Sequence, residues 1–501
     1  MPQAQSEGPA VTICPSGQTL THRQLHELAS QFAHLLVNSG QPNKGRIAFL
    51  LANQIEYPVA VCGARQAGFD HLPLNTHSSA SELLEILQQF SPQVVVVSDR
   101  YIALAQTLRA QLSNVRFIVT DTAPSGWESF DDLLEAQPTT PVVAKSNGRL
   151  LLLSGGSTGT PKIVVRPNAQ RADAPRAGGA LGFLPITSSS TLLLPAPLYH
   201  TMPMGWMIGG LEAGLHVVIM QRWDAEHALA AIERHRVTFV ALVPTMMSRL
   251  LDLPEVVRSR YDLSSLVAIV HGAAPCPTHV KYEVLKWLPE SVEVYEAYGS
   301  SEGFGMCRIG RKEWQQRPGS VGLPLPDSRV VIRDFDGNEL PHGEIGVVWF
   351  ARADGARMSY LGRPDETAEV YNQHGEGSSG DMGRLDEDGH LYLTGRAKNM
   401  LIVGGANVFP DQVADVLATH PAVQDVAVTG TPHPDLGEVP VALVELRPGI
   451  VATDKLSLEL EAWCRVQTCS TACPREFVVV DAIPRLATGK LNLRAVSALV
   501  G

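Results

Sequence analysis

Apolar residues set two rhythms along this chain. Leu25, Leu28, Phe32, Leu35 and Leu36 recur at helical spacing behind Thr21 and Gln24, which stand in capping-box positions, so an amphipathic helix is expected there. Short continuous apolar runs then alternate with further helical patterns. "RIAFLLA" reads as a buried strand, "EYPVAVCGARQAG" and "SELLEILQQF" as helices, and "QVVVVSD" as another buried strand. After residue 190 the alternation resumes with "STLLLPAP", "AEHALAAIERH", "VTFVALVP", "SLVAIVHGAA", "PTHVKYEVLKWL" and "VEVYEAYG". Strands alternating with helices predict an α/β fold with parallel sheets covered on both faces. From about residue 319 the texture changes to short β segments, "GSVGLPLP", "SRVVIRD" and "GEIGVVWF", which predict a compact β subdomain over about 319–395. Beyond Arg396, "VADVLATH", "VQDVAVTGT", "VPVALVEL" and "KLSLELEAWC" supply enough strand and helix for a separate small α+β domain.

Composition narrows the class. The chain has 501 residues, too many for one core, and is 45% hydrophobic and 18% charged, as a globular protein is. A formal net charge of −11 argues against a nucleic-acid partner. No apolar run reaches the roughly 18 residues of a membrane span, and the opening "MPQAQSEGPAVTICPSG" lacks the pattern of a signal peptide. A soluble, cytoplasmic protein is expected. Seven cysteines suit a reducing compartment, and Cys464, Cys469 and Cys473 lack the paired spacing of a zinc site, so they are read as packing thiols.

Polar clusters fall just after buried runs, where open α/β sheets bind ligands. "LLLSGGSTGTPK" ends in Lys162 but has Pro161 where a P-loop needs glycine. His271-Gly272-Ala273-Ala274-Pro275 follows "SLVAIV", Tyr298-Gly299-Ser300-Ser301-Glu302-Gly303 follows "VEVYEA", and Asp381 lies in "SSGDMGRL". Each alone is ordinary turn chemistry. Together they offer a flat slot for a base, an aromatic border, a carboxylate for ribose and a glutamate for a phosphate-bound magnesium ion.

In this order, "LPLN", "LSGGSTGTPK", "APLYHTMPMGW", "VHGAAPCP", "YGSSEG", "GEIGVVWF", "SGDMGRL", "LTGRAKNMLIVGGANVFP" and "PRLATGKL" make the whole chain resemble the adenylate-forming superfamily of acyl- and aryl-CoA synthetases, peptide-synthetase adenylation domains and luciferases. The resemblance implies ATP, Mg2+ and CoA as cofactors, and a carboxylic acid activated as acyl-AMP with release of pyrophosphate. It implies that Ser154, Gly156, Ser157, Thr158, Gly159 and Lys162 close over the β- and γ-phosphates. Glu302 with Ser301 would hold the metal, Ser301 also facing the α-phosphate, and Lys490 would bridge carboxylate and α-phosphate oxygens. Gly272, Ala273, Ala274, Tyr298 and Gly299 would border adenine, and Asp381 and Arg396 would hold the ribose. It further implies a large domain, residues 1–397, and a small mobile domain, 398–501, turning about Lys398 to bring up a thiol channel at Gly404 and Gly405.

Two departures bear on the thiol step. Gln412 and Ala414 replace the family's usual acidic pair, and Asn399 follows Lys398 where aspartate is usual. For the acid, the resemblance points to His200, Thr201, Met204, Trp206, Gly272 and Gly299. No carboxylate follows His200 to hold an amino-acid ammonium, and the methionine-rich "HTMPMGWMIGGLEAG" suits a bulky apolar or aromatic acid. The thiol acceptor is read as CoA. The alternative is a stand-alone adenylating enzyme that hands the acyl group to a carrier protein or a separate ligase, since no carrier motif follows Lys490. An inactive binding or scaffold homologue is the non-enzyme alternative, against which Lys490 and Glu302 both stand, and a homodimer is left open.

Overall fold

A computed structural model describes residues 6–38, 45–142, 147–154, 161–167, 181–486 and 490–500. The chain divides into two compact units, one made of Met1–Leu242, Asp252–Val270 and Arg357–Thr367, the other of Val243–Leu251, His271–Ala356 and Ala368–Gly501.

The first unit is α/β. Arg46–Leu50 pairs in parallel with Asp70–Pro73 and with Val94–Ser98, which continues to Arg116–Thr120. These strands are apolar on both faces because helices cover them: Leu83, Ile86, Leu87 and Phe90 of helix Ala80–Phe90 pack on Ala48, Leu50, Val95 and Val97. A second parallel group joins Thr191–Leu194 to His216–Met220 and Phe239–Leu242. The expected N-terminal helix spans His22–Asn38. Its capping box is reciprocal: the Gln24 amide donates to Thr21 Oγ1 at 3.1 Å and the Thr21 amide to Gln24 Oε1 at 2.9 Å. One strand escaped the pattern. Pro9–Cys14 lies parallel to His216–Met220, with Val11 opposite Val217.

The second unit holds an antiparallel run ordered Ser328–Arg333, Gly346–Arg352, Asp381–Leu385, Leu391–Arg396, Ser320–Pro324, Met306–Ile309 and Glu293–Gly299. The same unit contains the C-terminal sheet, where Gly437–Leu446 pairs antiparallel with Val423–His433 and parallel with Glu476–Val480. Helices Pro410–Leu417 and Asp454–Gln467 close its core through Val413, Leu417, Leu456, Leu460 and Cys464, with Cys473 in the same cluster. Cys469 is exposed, and all seven cysteines are free thiols. Among the described residues no helix is long and apolar enough to cross a membrane.

Candidate active site

Strand register builds the centre of the site in the second unit. Asp381 opens its strand directly opposite Arg396, which ends the neighbouring one. That pairing brings Arg396 Nε to 3.0 Å from Asp381 Oδ1. On the other oxygen, the Tyr298 hydroxyl donates at 2.7 Å and the Ser379 hydroxyl at 2.8 Å. Burial first, then the Asp381 charge, pushes the Tyr298 phenol well up, so it stays a neutral donor. Ser379 was not anticipated from the sequence. Its only signal was its place two residues before Asp381 in "SSGD".

Tyr298 and Gly299 end the strand Glu293–Gly299. The chain then turns through Ser300–Gly303, the Gly303 amide donating to the Ser300 carbonyl at 3.1 Å, with Ser301 and Glu302 as the two central residues. Such a turn presents its central side chains at the end of a hairpin. Gly272 closes strand Ala268–Gly272, and a Cβ there would stand 2.3 Å from the Ala297 carbonyl oxygen, so no larger residue fits. Ala273 follows in the left-handed region at φ 69°, a conformation costing an L-residue roughly 1–2 kcal/mol. Strain of this kind collects at ligand-binding loops.

Lys490 follows at a distance in sequence but not in field. Desolvation, and then the Arg396 charge, holds its ammonium below the usual lysine range, while Asp381 and Glu302 act in the opposite sense. Lys490 therefore lies within the electrostatic reach of three other expected residues, Arg396, Asp381 and Glu302. Among the described residues no group of three histidine, cysteine or acidic side chains could cage a metal. The donors present, the Glu302 carboxylate beside the Ser301 hydroxyl, fit a magnesium ion that takes its other ligands from phosphates and water. Lys398 lies in the short turn Ala397–Asn399, and Gly404 and Gly405 form a two-residue hairpin loop with φ of 56° and 86°.

In the first unit, the Lys162 amide donates to Ser154 Oγ at 3.0 Å, and its ammonium lies 2.5 Å from Glu366 Oε2. Gly156, Ser157, Thr158 and Gly159 lie outside the described residues. His200 occupies the N-cap position of helix Thr201–Glu212 without a side-chain capping bond, and its ring lies tilted 60° to that of Tyr199 with centroids 4.2 Å apart. Buried Asn53 places this segment: its side chain accepts from the Leu198 amide and donates to the Ala196 and Met220 carbonyls. Thr201 is half-buried, whereas Met204 and Trp206 are closed to solvent inside the helix packing.

Residues 2–361 match the family described as AMP-binding enzyme, and residues 412–490 match the AMP-binding enzyme C-terminal domain. The chain belongs to the AMP-binding enzyme family. It is 29% identical to the indoleacetate–CoA ligase of Aromatoleum aromaticum, covering 96% of this chain and 93% of that protein. Among solved structures, the amide bond synthetase McbA from Marinactinospora thermotolerans superposes with a TM-score of 0.85 at 28% identity, covering 98% and 97% of the two chains. The anthranilate CoA ligase AuaEII in complex with anthranoyl-AMP gives 0.86 at 28%, covering 98% and 94%. The protein is thus an adenylate-forming enzyme of the AMP-forming acid–thiol ligase type, a class that uses ATP, Mg2+ and CoA.

Proposed function

We propose that this enzyme activates a bulky apolar or aromatic carboxylic acid and transfers it to the CoA thiol. An oxygen of the acid attacks the α-phosphorus of ATP, the bond to pyrophosphate breaks, and acyl-AMP forms. The thiol sulfur then attacks the acyl carbon, its proton is lost, and AMP leaves. In the first step Lys490 donates to the oxygens that gain charge, in a setting where such preorganised donors act strongly. Asp381 and Arg396 hold the ribose, and Tyr298 with Gly272–Ala274 borders the base. Glu302 and Ser301 would hold magnesium, which supplies positive charge against the phosphates. The observation that carries the reading is the Asp381 centre, joined to Arg396, Tyr298 and Ser379, together with Lys490 lying within electrostatic reach of Arg396, Asp381 and Glu302.

Helix Thr201–Glu212, with His200 and Thr201 at its start, supports the apolar acid: its first turn has no carboxylate for an ammonium group, and Glu212 at its far end is paired with Arg65. The free thiols and the demand for ATP and CoA fit a cytoplasmic location. A different acceptor, an amine or a carrier-protein thiol, is a second reading. The likeness to an amide bond synthetase and the residues Gln412, Ala414 and Asn399 favour it. Pyrophosphate release with indoleacetate, anthranilate and fatty acids, each with and without CoA, tests both. Acid-dependent release with CoA-dependent AMP formation supports the ligase. Release indifferent to CoA selects the second reading, and no release with any acid overturns adenylation.

A further inference from the structure

Lys162 is held from two sides by a segment nearly 200 residues further along. Residues 357–367 return to the first unit, where Ser359–Tyr360 pairs with Ile163–Val165, Tyr360 standing opposite Val164. The Leu361 amide donates to the Ile163 carbonyl at 2.9 Å, and Gln89 Nε2 donates to the Leu361 carbonyl at 2.5 Å. Thr367 closes the turn, accepting from the Tyr360 amide and donating to the Arg363 carbonyl. This fixed backbone sets the Tyr360 ring 4.7 Å from the Lys162 ammonium and the Glu366 carboxylate 2.5 Å from it. The second carboxylate oxygen is taken by Arg363 at 2.8 Å, and Arg363 also lies 3.8 Å from Glu85.

We infer that Glu366 is a positioning residue that holds the Lys162 ammonium ready for the terminal phosphates of ATP, an inference resting on the reading of Lys162 given above. A free lysine side chain carries about 2 kcal/mol of rotamer entropy, which binding must otherwise spend. Glu366 and Tyr360 remove much of that freedom beforehand. They do not use up the ammonium: it has three hydrogens, and the side chain keeps 31% of its exposure. Lys162, Arg363, Glu366 and Glu85 together are neutral, so what suits an anion is the aimed and accessible ammonium and not a local excess of charge. An ordinary surface ion pair, by contrast, contributes about 0–1 kcal/mol to stability and affects no ligand.

The test compares nucleotides that differ only in the phosphates Lys162 would meet. Titration of the full chain with MgATP and with AMP gives dissociation constants without any acid. Glu366→Gln keeps shape and removes charge, and should weaken MgATP about 5–10-fold while leaving AMP within about twofold. In a Lys162→Ala background, Glu366→Gln should change neither constant. Weakening of ATP and AMP alike, or an effect that persists without Lys162, would mean a structural role and overturns the inference. If Lys162→Ala weakens ATP but Glu366→Gln does nothing, the phosphate reading stands and this inference alone falls. If Lys162→Ala leaves ATP binding unchanged, both fall.

Discussion

Asp381 and Lys162 are two charged anchors of opposite design. Asp381 is 9% exposed, accepts from the Tyr298 and Ser379 hydroxyls on Oδ2 and is ion-paired with Arg396 on Oδ1. An ionised carboxylate has about two lone-pair sites on each oxygen, so Oδ2 is filled. A ribose hydroxyl can reach Oδ2 only if a resident donor gives way. Lys162 is clamped by one carboxylate and one ring and is still partly exposed, so a ligand could reach it without displacing a partner. The difference teaches that preorganisation has a limit: a filled acceptor is rigid but must exchange, whereas a half-filled donor is aimed and ready.

The largest break is expected away from both anchors. Lys490→Ala should slow acid-dependent pyrophosphate release about 100–1000-fold, the usual cost of one preorganised donor in the transition state. MgATP affinity should change little if, as proposed, Lys490 acts in the transition state and not in nucleotide binding. An unchanged rate removes Lys490 from the chemistry. Next in size, Asp381→Asn should weaken MgATP and AMP equally, by about 10–100-fold, since a hydrogen bond to a charged group contributes about 1.5–3 kcal/mol. That equality is the contrast with Glu366→Gln. Weakening confined to ATP would show that Asp381 does not meet the ribose.

How far the sequence disclosed these anchors depended on separation along the chain. Asp381, Tyr298, Arg396 and Lys490 stood in recognisable local patterns, and so did the Thr21–Gln24 capping box. Glu366 was invisible because its partner Lys162 is some 200 residues away, and "PDET" by itself reads only as an acidic helix start. Asn53 escaped for the same reason, since its partners Ala196, Leu198 and Met220 belong to other loops. Strand Pro9–Cys14 escaped because it begins with proline and finds its parallel neighbour some 200 residues away at Val217–Met220. Periodicity reports what a segment needs to bury. It does not report which distant polar group completes it.

A smaller effect sharpens the claim that Asp381 Oδ2 is filled. Tyr298→Phe removes one of the two donors on that oxygen and frees a lone pair for ribose. AMP should then bind about 2–5-fold tighter in titration, the scale of one neutral hydrogen bond. Tenfold weaker binding would mean that Tyr298 orients Asp381 or holds the base, and that its donation is not in competition with ribose.

The smallest effect is a displaced alkaline limb. If adenylation uses the Lys490 ammonium as proposed, activity should be present below its pKa and disappear as pH rises through it. Desolvation and Arg396 place that pKa below the ordinary lysine value near 10.4, so the decline must begin earlier than for a free lysine. For stability the sign is reversed. A base with a depressed folded pKa disfavours the folded state while charged, and that cost is relieved as pH rises toward the unfolded value. Two neighbours should move the limb in opposite directions. Arg396→Gln removes a positive charge and should shift it to higher pH, whereas Glu302→Gln removes a negative one and should shift it lower. The measurement is the pH dependence of pyrophosphate release at saturating acid and MgATP. A Lys490→Arg variant, permanently charged, should show low activity without the limb, and a limb that survives in that variant belongs to another group.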